Sequence, residues 1–370
     1  MRSAARGTPL TSAQSTALAV STDSGRPWAE AGAWPVSDGV HRIPLPLPMD
    51  ALMAVNIYVI DTGAGLTLVD GGWGIEAARA ALDNGLALLG AGFADIDRFL
   101  VTHVHRDHYT LATLIAQEYS AEVWLGSGDR PTLEMLQHEV ASAPPPRTPF
   151  AAALTAAGIP EVIAAWAGDD DVMTDAKASG YLPPTGWLEG DHAIDLGSRK
   201  LDAVHTPGHT PGHFVFADRS AGVLFAGDHV LPTITPSIGF VSPPPVDPLG
   251  TFMRSLTKVR SLPDLRLLPA HGPVVDSSHQ RVDELLVHHE ERLELSLAAL
   301  GPGGRTSAEV AAQLPWTRRR RRFSDLELDH RGMAALETKA HLDLLVSRGA
   351  ARVAESEGVA LYSREENDRQ

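Results

Sequence analysis

Cysteine is absent from all 370 residues. That absence removes disulfide scaffolds, thiolate zinc fingers, iron–sulfur clusters and cysteine nucleophiles together, so any metal must be held by His, Asp or Glu. No run reaches the roughly eighteen apolar residues of a membrane span, and the N-terminal region has no continuous apolar stretch of the kind a secretory leader needs. A soluble, cytoplasmic chain with no membrane partner is therefore expected. Basic residues are in deficit: 31 Lys and Arg stand against 46 Asp and Glu, a formal net charge of −15. Such a chain is poorly suited to gripping a polyanion. The whole of the deficit lies before Gly301, so the chain after it differs in kind. With 44% hydrophobic and 21% charged residues, the composition is that of a globular protein with a sizeable core.

Residues 1–35, rich in small and polar types without periodicity, read as a mobile tail. Val55 to Asp70 holds two β-branched runs around an acidic, glycine-bearing turn, the pattern of a hairpin. A helix is expected over Ile75 to Leu89, a strand over Ile96 to Val101 and a helix over Leu111 to Tyr119. Residues 131–190 read as an inserted helical lid, with a proline triplet at Pro144 to Pro146 and an acidic run at Asp169 to Asp171. Strands return at Leu201 to Val204, His213 to Ala217 and Val223 to Ala226. A helix from Leu249 to Ser261, a strand ending at Leu268 and a long helix from Ser277 to Leu300 then complete a catalytic domain over 36–300. The glycine-rich stretch from Gly301 to Gly304 is a linker. Beyond it, 301–370 form a small module: a capped helix from Thr306 to Leu314, a helix from Gly332 to Arg348, and a hairpin of Ala351 to Ala354 with Val359 to Tyr362.

The most informative segment is Thr102-His103-Val104-His105-Arg106-Asp107-His108, directly after the strand Phe99 to Val101. A loop leaving a strand can aim three imidazoles and a carboxylate at one point, and that set suits a borderline cation such as zinc better than magnesium or calcium. Three more segments supply candidates just after predicted strands or at sharp turns: His205 to His213 with His209 at its centre, Gly227-Asp228-His229, and Pro269-Ala270-His271-Gly272. The glycines and prolines beside these residues allow the tight turns that bring side chains to a common centre.

The pattern His103-x-His105-x-Asp107-His108, followed in order by His209, Asp228 and His271, resembles the metallo-β-lactamase-fold hydrolases over residues 50–275. Val69-Asp70-Gly71 is similar to that family's strand-end aspartate. The resemblance implies an α/β fold, a four-layer αβ/βα sandwich. It also implies two zinc ions per chain, with iron or manganese as alternatives. His103, His105 and His209 would hold one metal and Asp107, His108 and His271 the other, with Asp228 bridging and Asp70 orienting a ligand imidazole. Hydrolysis would then use a hydroxide bridging the metals and anchored by Asp107, the catalytic residue, without a protein nucleophile. Asp228 stands where penicillin-degrading relatives use Cys. His105 departs from the His-x-Glu-x-Asp of flavin-linked di-iron oxygen reductases.

Glu337 to Leu345 resembles the C-terminal module of the β-lactamase-like protein 2 group, which implies a winged-helix-like unit; its near-neutral charge and acidic tail favour packing over the active-site mouth or against a second copy of the chain rather than DNA binding. A small acyl compound, an ester, thioester or lactone, is the expected substrate, by similarity to the hydroxyacylglutathione hydrolases. No basic cluster is placed by motif to hold glutathione. Single-stranded RNA ranks second, supported by the run Arg318 to Arg322, for which a solvated loop is the preferred reading. A nucleic-acid-binding regulator with a vestigial metal site ranks third. His205 and His213 are expected to be structural, His229 is left out of the catalytic set, His288 and His289 read as a solvated helix face, and Tyr109 as a buried aromatic beside the site.

Overall fold

A computed structural model describes residues 19–48, 52–141, 148–163, 180–301, 303–317 and 320–365. Among the described residues, strands β1 (Trp34–Ser37), β2 (Val40–Pro46), β3 (Ala54–Asp61), β4 (Leu66–Val69), β5 (Ile96–Leu100), β6 (Glu122–Gly126) and β7 (Gly186–Leu188) form one sheet in chain order. Its first four strands are an antiparallel meander, and β4 to β7 run parallel. A second sheet holds β8 (His192–Asp195), β9 (Lys200–His205), β10 (Phe214–Asp218), β11 (Val223–Gly227) and β12 (Arg266–Pro269).

The period-two alternation of a strand decides how the sheets stack. On β3, Tyr58 and Ile60 face the second sheet and pack with Phe214, Phe216 and Phe225, while Val55, Ile57 and Val59 face outward. Because both faces are covered, the strand reads as nearly unbroken apolar sequence. Outside the first sheet lie helices α1 (Glu76–Leu88) and α2 (Arg106–Tyr119), whose Leu82, Leu86, Leu111 and Ile115 fill that layer. Outside the second lie α5 (Pro248–Arg260) and α6 (Ser278–Ala299). The order is helix, sheet, sheet, helix. Side-chain caps mark the starts of the last two helices: Asp247 accepts from the Gly250 N–H with Pro248 in the first turn, and Ser277 accepts from Gln280.

Between β6 and β7 come α3 (Arg130–Ala141) and α4 (Thr148–Ala156). The expected insertion over 131–190 thus contains a strand of the main sheet, β7, too short to be separated from a helical stretch by periodicity. Leu154, Ala157 and Ile159 pack on Ala335 and Leu336 of the C-terminal region. Pro144 to Pro146 and Asp169 to Asp171 lie outside the described residues. So do residues 1–18, Arg318 and Arg319.

After the glycine-rich stretch come α7 (Ser307–Ala311), α8 (Leu328–Ser347) and the hairpin β13 (Ala351–Ser356) with β14 (Val359–Arg364). The expected helix cap is a capping box at Thr306: Thr306 Oγ1 accepts from the Glu309 N–H, and the Glu309 carboxylate accepts from the Thr306 N–H. Val310, Leu314, Leu342, Leu345 and Tyr362 join the same apolar cluster as Phe252, Leu256 and Leu293, so the composition change at Gly301 is not a break in the core. Of the arginine run, Arg321 pairs through its backbone with Trp316, and Arg322 lies 3.3 Å from Asp325.

Two expectations are corrected. Residues 19–35, expected to belong to a mobile tail, are packed: Trp28 is fully buried and the Asp23 and Arg42 side chains form an enclosed ion pair. His289 is not on a solvated face. It is fully buried, with Nδ1 3.3 Å from His341 Nε2 on α8, because α8 covers the side of α6 that local sequence left looking charged.

Candidate metal centre

Five chain segments meet at one rim of the sandwich. β4 leads to Asp70, β5 to His103, β9 runs into the turn bearing His209, β11 into Asp228, and β12 into His271. Asp107 and His108 belong to the first turn of α2 rather than to a loop, and His105 is the N-cap. The helix start was hidden because its apolar face begins only at Tyr109, with Ala112 and Ile115 one and two turns on. Asp107 in that first turn also complements the helix dipole.

His103 Nε2 is 2.9 Å from His105 Nδ1, which is 3.1 Å from His209 Nε2. With Asp228 these residues offer donor atoms all within 4.8 Å of one another, and Asp107, His108 and His271 form a second such set. Asp228 reaches both sets. Its Oδ2 is 3.6 Å from His209 Nε2, and its Oδ1 is 3.4 Å from His271 Nε2 and 3.7 Å from His108 Nε2. Asp107 Oδ2 lies 3.3 Å from His271 Nε2 and 3.6 Å from His108 Nε2.

The rings are held from behind. His108 Nδ1 is 2.9 Å from Asp70 Oδ2, His209 Nδ1 is 2.9 Å from the Ser237 carbonyl, and His271 Nδ1 is 2.7 Å from the Ala54 carbonyl. His103 Nδ1 is 3.1 Å from Thr102 Oγ1, whose own hydroxyl donates to Asp70. A ring whose Nδ1–H is committed in this way presents the Nε2 lone pair forward, the arrangement of metal-binding histidines. At the front, His108 Nε2, His271 Nε2 and Asp228 Oδ1 are buried without a hydrogen-bond partner. Each such atom costs about 1–3 kcal/mol if left unmatched. A mixed nitrogen and carboxylate set with orphaned lone pairs fits a divalent cation of the zinc type.

Electrostatics divides the cluster into two halves. Burial, then His108, His105 and His209, hold His103 well below the usual histidine range, and burial with His209 brings His105 to about 3. Burial also lowers His209. These rings stay neutral, as ligation requires. For His108 burial opposes the charge but Asp107, Asp70 and Asp228 overcome it and raise it to about 10. His271 is raised in the same way by Asp228 and Asp107 against burial. Burial would raise the Asp107 carboxyl, yet His108 and His271 bring it below the usual range. His108 holds a proton among these carboxylates, and a cation binding there would displace it.

Close approach demands glycine at two points. A Cβ on Gly71 would lie 2.4 Å from that of Ala112 in α2, and one on Gly227, at φ +51°, would lie 2.8 Å from His213 Nε2. His213 is buried, stacks on His103 at 5.1 Å between ring centres, and accepts from the Asp228 N–H. His205 Nε2 is 3.0 Å from the Pro211 carbonyl, and His229 is buried against Phe252. Tyr109 is buried, with its hydroxyl donating to the Leu182 carbonyl.

Sequence reasoning missed Asp129. Fully buried, it accepts from the Gly212 N–H at 2.7 Å through Oδ1, and from the Val104 N–H and Thr210 Oγ1, each at 3.0 Å, through Oδ2. It thereby ties the loop of His103 and His105 to the loop of His209. Burial raises its carboxyl to about 6 against those hydrogen bonds. The one sequence signal is the pair Gly126 and Gly128 before it, which allow backbone contact with Gly212 and Pro211.

The sequence profile of the Metallo-beta-lactamase superfamily matches residues 51–271. The chain is 31% identical over 141 residues to a beta-lactamase-like protein 2 homolog of Caenorhabditis elegans, covering 37% of this chain and 44% of that protein. It is 23% identical over 246 residues to an atrochrysone carboxyl ACP thioesterase of Aspergillus fumigatus, covering 66% of this chain and 44% of that protein. The chain therefore spans less than half the length of either relative. A solved metallo-beta-lactamase family protein from Thermus thermophilus matches with a TM-score of 0.72 at 28% identity, covering 90% of this chain and 100% of that one. Fold, ordered motifs and profile agree: the chain belongs to the metallo-beta-lactamase superfamily.

Proposed function

We propose that the chain is a binuclear metal-dependent hydrolase of a small ester, thioester or lactone. The observation that carries this reading is the convergence of seven His and Asp side chains at one rim, four of the imidazoles anchored at their rear nitrogen. His103, His105 and His209 would hold one cation, Asp107, His108 and His271 the second, and Asp228 both. When bound, zinc or a similar pair supplies Lewis acidity and a water acidified toward neutrality. Asp107, whose carboxylate is 14% exposed, accepts a hydrogen bond from the attacking water and orients its lone pair toward the substrate. Asp70 and the carbonyls of Ala54 and Ser237 keep the imidazoles from rotating during turnover. Hydrolysis then needs no side-chain nucleophile. An acyl substrate is favoured over RNA because the chain is acidic and because a relative, the Aspergillus fumigatus protein, is named a thioesterase. The test is a parallel assay of the zinc-loaded protein on acyl thioesters, lactones and labelled single-stranded RNA, with Asp107→Ala as control. Turnover of acyl compounds that the variant abolishes is the expected result. Cleavage of RNA alone, lost in the variant, would replace the acyl reading with a nuclease.

A further inference from the structure

We propose that a buried polar chain, Asp23–Arg42–Asn56, is a positioning device for His271, which makes the N-terminal segment part of the metal centre; this rests on the metal-centre reading above. Asn56 on β3 is fully buried, and its Nδ2 donates to the Pro269 carbonyl and the Gly272 carbonyl, each at 3.0 Å. Those two carbonyls bracket Ala270 and His271. An amide has only two N–H donors, and both are used on this one loop. The carbonyl between them, that of Ala270, accepts from the Asn56 backbone N–H at 2.7 Å, and Tyr58 Oη donates to Pro269 at 2.8 Å.

The orientation of the Asn56 amide is set from the other side. Its Oδ1 accepts from Arg42 Nη1 at 3.0 Å, which prevents the amide from flipping its donors away. Arg42 is fully buried, and such a cation requires a counter-charge. Asp23 supplies it through two oxygens, Oδ2 to Nε at 2.8 Å and Oδ1 to Nη2 at 3.3 Å, with both side chains fully enclosed. Asp23 is held in turn by its own segment. The Trp28 carbonyl accepts from Arg42 Nη1, Ser21 Oγ accepts from the Val274 N–H at 2.8 Å, and the Thr22 N–H donates to the Val274 carbonyl at 3.3 Å. Residues 21–28 therefore grip the His271 loop twice, at Val274 directly and at Pro269 and Gly272 through Arg42 and Asn56.

The experiment is a cobalt(II) titration of the metal-free full chain, followed by its visible d–d bands and by competition with a chelator. Asn56→Asp keeps the side-chain shape and the acceptor for Arg42 but has no N–H to give the two carbonyls. Wild type is expected to take two equivalents. Asn56→Asp is expected to take one equivalent with unchanged affinity and the second, the one held by the Asp107, His108 and His271 set, about 10–100-fold more weakly with altered bands, the scale seen when a ligand's supporting hydrogen bonds are lost. Tyr58→Phe, which removes one donor, is expected to show a smaller weakening of the second equivalent and serves alone if Asn56→Asp does not fold. Leu82→Ala, a cavity in the layer under α1, should cost stability without changing either affinity. Failure of wild type to bind two equivalents overturns the metal-centre reading itself. Two equivalents in wild type with an unchanged second affinity in the variants, or an equal loss in Leu82→Ala, overturns the positioning proposal and leaves the metal centre standing.

Discussion

Asp70 Oδ2 accepts from His108 Nδ1 at 2.9 Å across 38 positions of sequence, while its Oδ1 accepts from the Thr102 N–H at 2.7 Å. One carboxylate thus binds the end of β4 to the loop after β5 and to the first turn of α2. Its backbone sits at φ +64°, a left-handed conformation that Asp tolerates and most residues do not.

That geometry makes Asp70→Asn informative. Asn also tolerates the left-handed backbone and keeps an oxygen for Thr102, but its amide turned toward His108 Nδ1 would push the ring proton onto Nε2 and away from ligation. Metal affinity at the Asp107, His108 and His271 set should fall about 10–100-fold, measured by competition titration, with the circular dichroism spectrum unchanged. Equal affinity would show that Asp70 does not set the tautomer.

Asp129→Ala leaves the donors of Val104, Thr210 and Gly212 buried and unmatched. At about 1–3 kcal/mol for each orphaned group, unfolding free energy should drop by roughly 3 kcal/mol or more, read by urea denaturation. Metal retained after dialysis should drop first at the His103, His105 and His209 set, whose two loops Asp129 joins. Retention of both metals at wild-type affinity would reduce Asp129 to a stability role.

Trp28→Ala tests the packed N-terminal segment. Removing a fully buried indole should cost about 3–5 kcal/mol, measured by denaturant unfolding. A variant as stable as wild type would mean that residues 19–35 contribute no packing.

The His289 and His341 pair between α6 and α8 predicts a pH dependence. Burial, then Arg292 and His288, bring His341 to about 3, and burial with His341 holds His289 well below the usual range. Each is near 6.5 when unfolded. The folded pKa is depressed, so this contribution to stability is complete above about 6.5 and is lost as pH falls from there toward 3. Each histidine adds a slope approaching about 1.4 kcal/mol per pH unit within that window. Urea midpoints between pH 7.5 and 4.5 should fall more steeply in wild type than in His341→Leu. Identical slopes would remove the pair from the account.

Chemistry that is local in sequence could be read from it directly. The β3–β4 hairpin and the cap at Thr306 depend on residue type and short-range spacing; the grouping of His103, His105, Asp107, His108, His209, Asp228 and His271 is what the family resemblance implies, and the structure places their donor atoms in two adjoining sets. Relations that depend on long-range packing could not be read. Asp129 looks like any acidic loop residue until α3 and the His209 loop enclose it. Asp23 and Trp28 sit in a compositionally tail-like stretch until the chain brings Arg42 and Val274 to them. His289 lies among charged neighbours until α8 covers it. Residue type and chain order settle which side chains are available to hold metal and in what order they arrive. Which polar groups behind them are buried follows from folding, because burial is a property of contacts between distant segments, and those buried groups aim the donors at one centre.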